Sequence, residues 1–267
     1  MKCSVIAEIG WNHMGNISLA KEMISAASES GADFAKFQTW SVEKLKRGEW
    51  DNDGRIEIYS KAELTRDDHL DLAEYCYNNN IGFLTSVFNI DDVEWLKDVS
   101  NMAIKIPSHE VYNKNLIRSV DGLFDNIFVS TGAAEWSEVE IIPLLIKKSK
   151  LTLFHCVSSY PCSSNNVNLP RIDKLREINS SVGYSGHYFG VDDAILSLSY
   201  GVEYIEKHFT IDRSLPGRDN QFAILPNELK LITGICKNNA DMNIDHGANL
   251  QKCEHDTMEN YRGRWMA

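Results

Sequence analysis

Several features are scarce in this 267-residue chain, and each scarcity excludes something. There are only six prolines and six cysteines. The cysteines (Cys3, Cys76, Cys156, Cys162, Cys236, Cys253) are scattered with no CxxC pair, so neither a disulfide framework nor a cysteine-based zinc site is indicated. No stretch approaches the roughly 18 uninterrupted apolar residues of a membrane span. The apolar run before Glu8 in MKCSVIAEIG is too short for the core of a secretory signal, and a cytoplasmic protein is expected. Basic residues are the minority sign: 27 Lys and Arg stand against 38 Asp and Glu, a net charge of −11 with a pI near 5.2. Binding a nucleic-acid backbone requires clustered Lys and Arg, so that partner is excluded, although a small basic pocket for an anion is not. No Pro-, Gly- or Ser-rich linker divides the chain, and a single domain is expected.

What is present is a regular alternation of short β-prone runs and longer helical stretches. CSVIAEI (3–9), ADFAKFQT (32–39), GFLTSVF (82–88), NMAIKIPS (101–108), NIFVST (126–131), LTLFHCVSS (151–159), SVGYS (181–185) and VEYIEKHFT (202–210) read as strands. A helix candidate follows each, beginning with 18–31, capped by Ser18 and stopped by Gly31, and ending with 226–239. RGEWDNDGR (47–55) reads as a polar, helix-breaking excursion. Eight alternations in about 240 residues fit an α/β fold of the (β/α)8 TIM-barrel type better than a doubly wound open sheet, which is the alternative. The expected organisation is a barrel over 1–240 and a polar tail over 241–267 with no clear period.

Barrel active sites lie at the C-terminal strand ends and in the loops that follow them. The polar residues at those places are Glu8, Lys36 with Gln38, Ser86, Lys105 with Ser108 and Glu110, Ser130, Ser158 with Tyr160, Ser185 with His187, and Glu206 with Lys207 and His208. A lone Ser at such a junction serves equally well as a helix cap. Lys36 in FAKFQ and Lys105 in AIKIP are harder to explain away, because an unpaired ammonium inside an apolar strand is costly. Two inward lysines call for an anion. His187 and His208 occupy matching ends of adjacent strands, so their imidazoles are candidate ligands for a divalent metal with positions open to water and substrate. RSLPGRDN (213–220) forms a Pro-Gly turn that would hold Asp219 over the barrel mouth, unless it is a plain surface turn.

The segments AEIGWNHMGN, GADFAKFQTW, KIPSHE, VSTG, HCVSSYP, VNL, GYSGH and above all IEKHFTIDRSLPGRD resemble the signature segments of the sialic acid synthase family, in order, from about Glu8 to about Leu229. The resemblance implies a (β/α)8 barrel that condenses phosphoenolpyruvate with an N-acylated amino sugar and releases phosphate. By matching position, Lys105, Ser86, Ser108, Ser130, Ser158 and Ser185 would hold the phosphate and carboxylate of phosphoenolpyruvate, with Lys207 beside them. His187 and His208 would hold Mn2+ or Mg2+. Glu8, Gln38, Tyr160 and Asp219 would contact the sugar, and Lys36, Glu110 and Glu206 would set the charge balance. Glu8 or Glu110 is the expected base for a water.

The chain departs from the family pattern in three places. Gly186 stands where relatives usually have an acid between the Ser and His of strand seven, which bears on the support of His187. KIPSHE and TSVF differ from the usual forms of strands four and three, which puts the sugar in question more than the reaction. The antifreeze-like C-terminal domain of many relatives does not fit in the 28 residues from Ala240, and Arg218, Arg262 or Arg264 is expected to supply its arginine. A homodimer, or a separate protein completing the mouth, is the expected assembly. A metal-dependent sugar isomerase or aldolase and a non-catalytic sugar- or anion-binding barrel are the competing functions.

Overall fold

A computed structural model describes residues 3–265. Eight parallel strands, β1 (Ser4–Glu8), β2 (Phe34–Thr39), β3 (Gly82–Val87), β4 (Ala103–Ile106), β5 (Asn126–Ser130), β6 (Lys150–Cys156), β7 (Val182–Gly186) and β8 (Tyr204–His208), close into one barrel in chain order, with β8 paired back to β1. This is the (β/α)8 TIM-barrel architecture, and each strand coincides with a run read from the sequence.

Period-two alternation sorts the strand side chains. Val5, Ala7, Ile9, Ala35 and Phe37 point outward into the main core beneath the helices. Ile6, Leu84, Ala103, Phe128 and Phe154, with Phe34 and Tyr204 against them, fill the inside as an apolar plug. One or two residues further along each strand, the inward positions become polar. The plug therefore forms a dry floor for whatever those polar residues bind.

The helices depart from the sequence reading in detail. The first, Ile17–Glu29, is capped by Asn16, whose side chain accepts from Leu19 N at 3.1 Å, and not by Ser18. The stretch 137–149 is split into Trp136–Val139 and Ile142–Leu145, because Pro143 carries no N–H to donate and is accommodated only in a first turn. The polar excursion after β2 contains a 3-10 turn, Glu49–Asn52, and then a helix, Arg55–Ala62, that the charge-rich sequence concealed. Pro226–Met242 closes the barrel, and the residues after it stay exposed through a short helix, His255–Asn260. Among the described residues no helix is long and apolar enough to cross a membrane.

Candidate active site

The C-terminal ends of the strands enclose a cavity of about 1350 Å3, and every site residue expected from the sequence lines it except Lys207. At its floor, charges alternate. Lys36 Nζ lies 2.7 Å from Glu8 Oε2 and 3.8 Å from Glu206 Oε1, while Lys105 Nζ donates to Glu206 Oε2 at 3.1 Å. Ser185 Oγ donates to Glu206 Oε1 at 3.0 Å, Lys36 Nζ to Ser86 Oγ at 3.0 Å, and Gln38 Nε2 to Glu8 Oε1 at 2.6 Å. Lys105 Nζ also sits 3.6 Å above the centre of the Phe154 ring, a cation held on the face of the plug.

These contacts separate the two carboxylates. Burial pushes both upward, but Lys105 and Lys36 outweigh it at Glu206 and hold that carboxyl down to about 2. Glu8 has only the Lys36 side of the network and also feels Glu206, so burial prevails and lifts it to about 7. Glu206 is a fixed anion, and Glu8 exchanges a proton near neutrality. Burial lowers Lys105, and the Glu206 carboxylate works against that shift.

Beside Lys105, hydroxyls converge on the β5–β6 side. Gly132 N donates to Ser108 Oγ at 3.2 Å. A β-carbon at Gly132 would fall 2.5 Å from Ser158 Oγ, 2.9 Å from Ser108 Oγ and 3.1 Å from Cys156 Sγ, so only glycine lets the three approach. Ser158 Oγ is buried with no hydrogen-bond partner. An unengaged hydroxyl on the same cavity wall as a buried ammonium leaves donors available to an anion.

Next to this cluster, with His187 Nδ1 3.8 Å from Cys156 Sγ, the rings of His187 and His208 lie 5.3 Å apart. His187 Nδ1 is 2.9 Å from the Val157 carbonyl, which can only accept, so Nδ1 carries a hydrogen and Nε2 is the nitrogen left to ligate. His208 Nδ1 is buried, lies 3.3 Å from Asp219 Oδ2 and makes no hydrogen bond. Burial, with His187 and Lys36 beside it, pushes His208 well below the usual histidine range. Among the described residues no three His, Cys, Asp or Glu side chains are grouped as a metal cluster. The protein's own donors amount to two imidazoles, with Asp219 close by.

The mouth is built by loops. Tyr160 lies on His187 with ring centres 4.1 Å apart, and Trp11, Trp40 and Tyr59 pack edge to face at 5.0–6.0 Å. Glu110 is half-buried, raised by burial, and accepts from Asn113 Nδ2 at 3.2 Å. Of the arginines considered for the sugar, Arg218 lines the cavity, whereas Arg262 and Arg264 lie on the exposed tail. His109 reaches the cavity, and His13 is buried away from it beside Phe37.

Lys207 is the correction. Glu206 and His208 point inward, so the pleat turns Lys207 outward, where it bonds Asp193 Oδ1 and Oδ2 at 3.0 Å each and the Tyr188 carbonyl at 2.7 Å. It cannot touch a substrate in the barrel. The sequence reading also missed Cys156, Trp11 and Tyr59. For Cys156 the signal was present, since alternation through HCVSS places 154, 156 and 158 on one face. Tyr59 comes from the unforeseen helix Arg55–Ala62 and had no signal.

Compared with known proteins, residues 23–245 match the model of the NeuB family. The chain belongs to the NeuB family. It is 33% identical over 248 residues to the N,N'-diacetyllegionaminic acid synthase of Campylobacter jejuni, covering 86% of this chain and 74% of that one. To the pseudaminic acid synthase of the same organism it is 33% identical over 244 residues, covering 86% and 71%. The crystal structure of the N-acetylneuraminic acid synthetase of Leptospira borgpetersenii, in complex with citrate, superimposes with a TM-score of 0.88 at 30% identity, covering 100% of this chain and 94% of that one. These NeuB relatives form different nonulosonic acids at similar identity, so identity does not select the acceptor.

Proposed function

We propose that this NeuB-family barrel condenses phosphoenolpyruvate with an N-acylated amino-sugar aldose, giving a nonulosonic 3-deoxy-2-keto acid and inorganic phosphate. The observation that carries this reading is the adjacency, in one buried cavity, of a lysine-and-hydroxyl anion pocket and a pair of imidazoles. An anion site alone would serve a sensor. Two imidazoles beside it would hold a cation, and that cation would supply the electrophilic centre.

In this reading Lys105 and the hydroxyls of Ser86, Ser108, Ser130, Ser158 and Ser185 bind the phosphate and carboxylate of phosphoenolpyruvate over the dry plug, where their charges act in low dielectric. His187 and His208 hold a divalent cation, Mn2+ or Mg2+; the unpartnered His208 Nδ1 and the Nε2 of His187 fit it. Such a metal, when bound, polarises the aldehyde oxygen of the open-chain sugar. Gln38, Tyr160, Asp219 and Arg218 orient the sugar so that its aldehyde carbon faces C3 of phosphoenolpyruvate. The new C3–C bond leaves C2 electron-poor. A water adds its oxygen to C2 and passes a proton to Glu8, the carboxylate placed near neutrality. The tetrahedral C2 then expels phosphate by C–O cleavage as its hydroxyl becomes the ketone, its proton passing to the alkoxide that the aldehyde oxygen became when the C–C bond formed. Lys36 and Glu206 keep their own charges while Glu8 titrates beside them.

The test is direct. The protein is incubated with phosphoenolpyruvate, Mn2+ and a panel of aldoses that includes N-acetylmannosamine and diacetamido-hexoses, and phosphate is measured. Release that requires one acylated amino sugar is the expected result. Turnover of a sugar without phosphoenolpyruvate would replace this reading with an isomerase or aldolase. Phosphoenolpyruvate binding with no release across the panel would favour a sensor.

A further inference from the structure

Outside the barrel wall, between the ends of β7 and β8 and the helix Asp192–Ser197, lies a buried ionic cluster that the proposed chemistry leaves unused. Asp193 is 3% exposed, Lys207 2% and Tyr184 3%. Asp193 Oδ2 accepts from the Tyr184 hydroxyl at 2.7 Å, and both its oxygens accept from Lys207 Nζ, which also donates to the Tyr188 carbonyl. Every strong donor in the cluster is satisfied, so it is rigid. Gly186 is part of the same construction. A β-carbon there would lie 2.2 Å from Asp193 Oδ2, 2.6 Å from Tyr184 Cε1 and 2.9 Å from the Tyr184 hydroxyl oxygen, in space that the carboxylate and the tyrosine fill together.

The place of these residues in the chain matters more than their number. Tyr184 immediately precedes Ser185, Tyr188 immediately follows His187, and Lys207 stands between Glu206 and His208. Because strand side chains alternate, gripping the outward residues holds the backbone that aims the inward ones. One carboxylate thus braces β7 and β8 at the level where Ser185 meets Glu206 and the two imidazoles face each other.

We infer that Asp193 is a positioning residue: through Lys207 and Tyr184 it holds Ser185, His187, Glu206 and His208 in their working arrangement, and Gly186 is glycine because Asp193 and the Tyr184 it anchors occupy its side-chain space. Only the kinetic consequence rests on the phosphoenolpyruvate-condensing reading. The consequence for geometry does not.

Two substitutions and their combination test this. Asp193→Ala leaves the buried Lys207 without its anion and is expected to lower kcat by about 10- to 100-fold. Gly186→Asp alone drives a second carboxylate into the first and is expected to do the same. Together, Asp193→Ala with Gly186→Asp places one carboxylate beside the same ammonium, the Tyr184 ring moving aside once its bond to Asp193 is gone, and kcat is expected to return to within about threefold of wild type. A role limited to filling space predicts equal recovery when Gly186→Asn replaces Gly186→Asp in the double variant, because the volume is the same without the charge, whereas the positioning role predicts that kcat stays depressed there. Should Asp193→Ala fail to fold, the double variant decides alone: recovery of both the fold and kcat supports the inference, and a folded double variant with kcat still depressed overturns it. An Asp193→Ala enzyme that turns over within about twofold of wild type also overturns it. If wild type itself releases no phosphate with any aldose, the reaction assigned above fails, and crystal structures of wild type and Asp193→Ala decide. Displacement of Glu206 or His208 by about 1 Å or more supports the positioning role, and superimposable side chains refute it.

Discussion

Lys105 Nζ meets Glu206 Oε2 at 3.1 Å at the bottom of the barrel mouth, and the two side chains are only 2% and 7% exposed. Removing both charges from water is expensive, and a structural core would do as well with apolar residues there. Keeping the pair makes sense where a further anion is to be received, since the lysine then has donors to spare and Glu206 holds it in place.

Lys105→Met should therefore abolish measurable phosphoenolpyruvate binding in a calorimetric titration and reduce kcat/KM by roughly 100-fold or more, the usual cost of one preorganised donor to a developing or bound anion. Circular dichroism should show an intact barrel. Unchanged phosphoenolpyruvate affinity would move the anion pocket elsewhere.

With its carboxyl lifted to about 7 by burial, Glu8 must lose its proton before it accepts one from water. kcat/KM is expected to rise with pH through a limb near that value and level off above it. In Glu8→Gln the limb should disappear together with most of the rate. Persistence of the same limb in the variant assigns the titration to another group.

Chelation followed by gel filtration should stop phosphate release, and added Mn2+ should restore it. His187→Ala and His208→Ala should each weaken Mn2+ binding, read by the loss of free-ion signal in electron paramagnetic resonance titrations, by about 10-fold or more while the fold persists. Full Mn2+ binding in both variants would remove the imidazole pair from the metal site.

Tyr59 closes the mouth from the helix Arg55–Ala62, its ring 5.0 Å from Trp11 and 5.2 Å from Trp40. Tyr59→Ala is expected to raise KM for the sugar by several-fold, on the order of 1 kcal/mol for a lost aromatic contact, with phosphoenolpyruvate KM unchanged. Equal effects on both substrates would indicate a general loosening of the mouth.

At the centre of the plug, Phe128 lies 4.7 Å from the Tyr204 ring and 5.4 Å from Phe154. Phe128→Ala should cost about 3–5 kcal/mol through lost burial and a residual cavity. Thermal melts should show Tm lower by on the order of 10 °C. A shift of a degree or two would mean that the plug re-collapses.

How much of this was legible beforehand can be traced residue by residue. The eight apolar runs and the period-two placement of Lys36, Ser86, Lys105, Ser185 and Glu206 were readable because strand identity and facing are local properties of a few consecutive side chains. The same period, applied to Lys207 between two inward neighbours, points outward; reading it as a substrate contact ignored the pleat. Cys156 was equally legible and equally passed over. The helix Arg55–Ala62 was hidden because its charged, glycine-preceded sequence has little intrinsic preference, and it is held by packing its aromatic residue onto Trp11 and Trp40.

By itself, then, the sequence determined the barrel and the set of polar side chains delivered to its mouth, since both follow from short-range periodicity repeated eight times. Only the tertiary structure decided how those side chains pair. Glu8 and Glu206 are both strand-end glutamates in sequence, yet ring closure places Glu206 between two lysines and leaves Glu8 with one, which sets one carboxyl near 2 and the other near 7. Likewise, nothing local links Gly186 to Asp193. Their shared space exists because a helix seven residues further on packs back against its own strand.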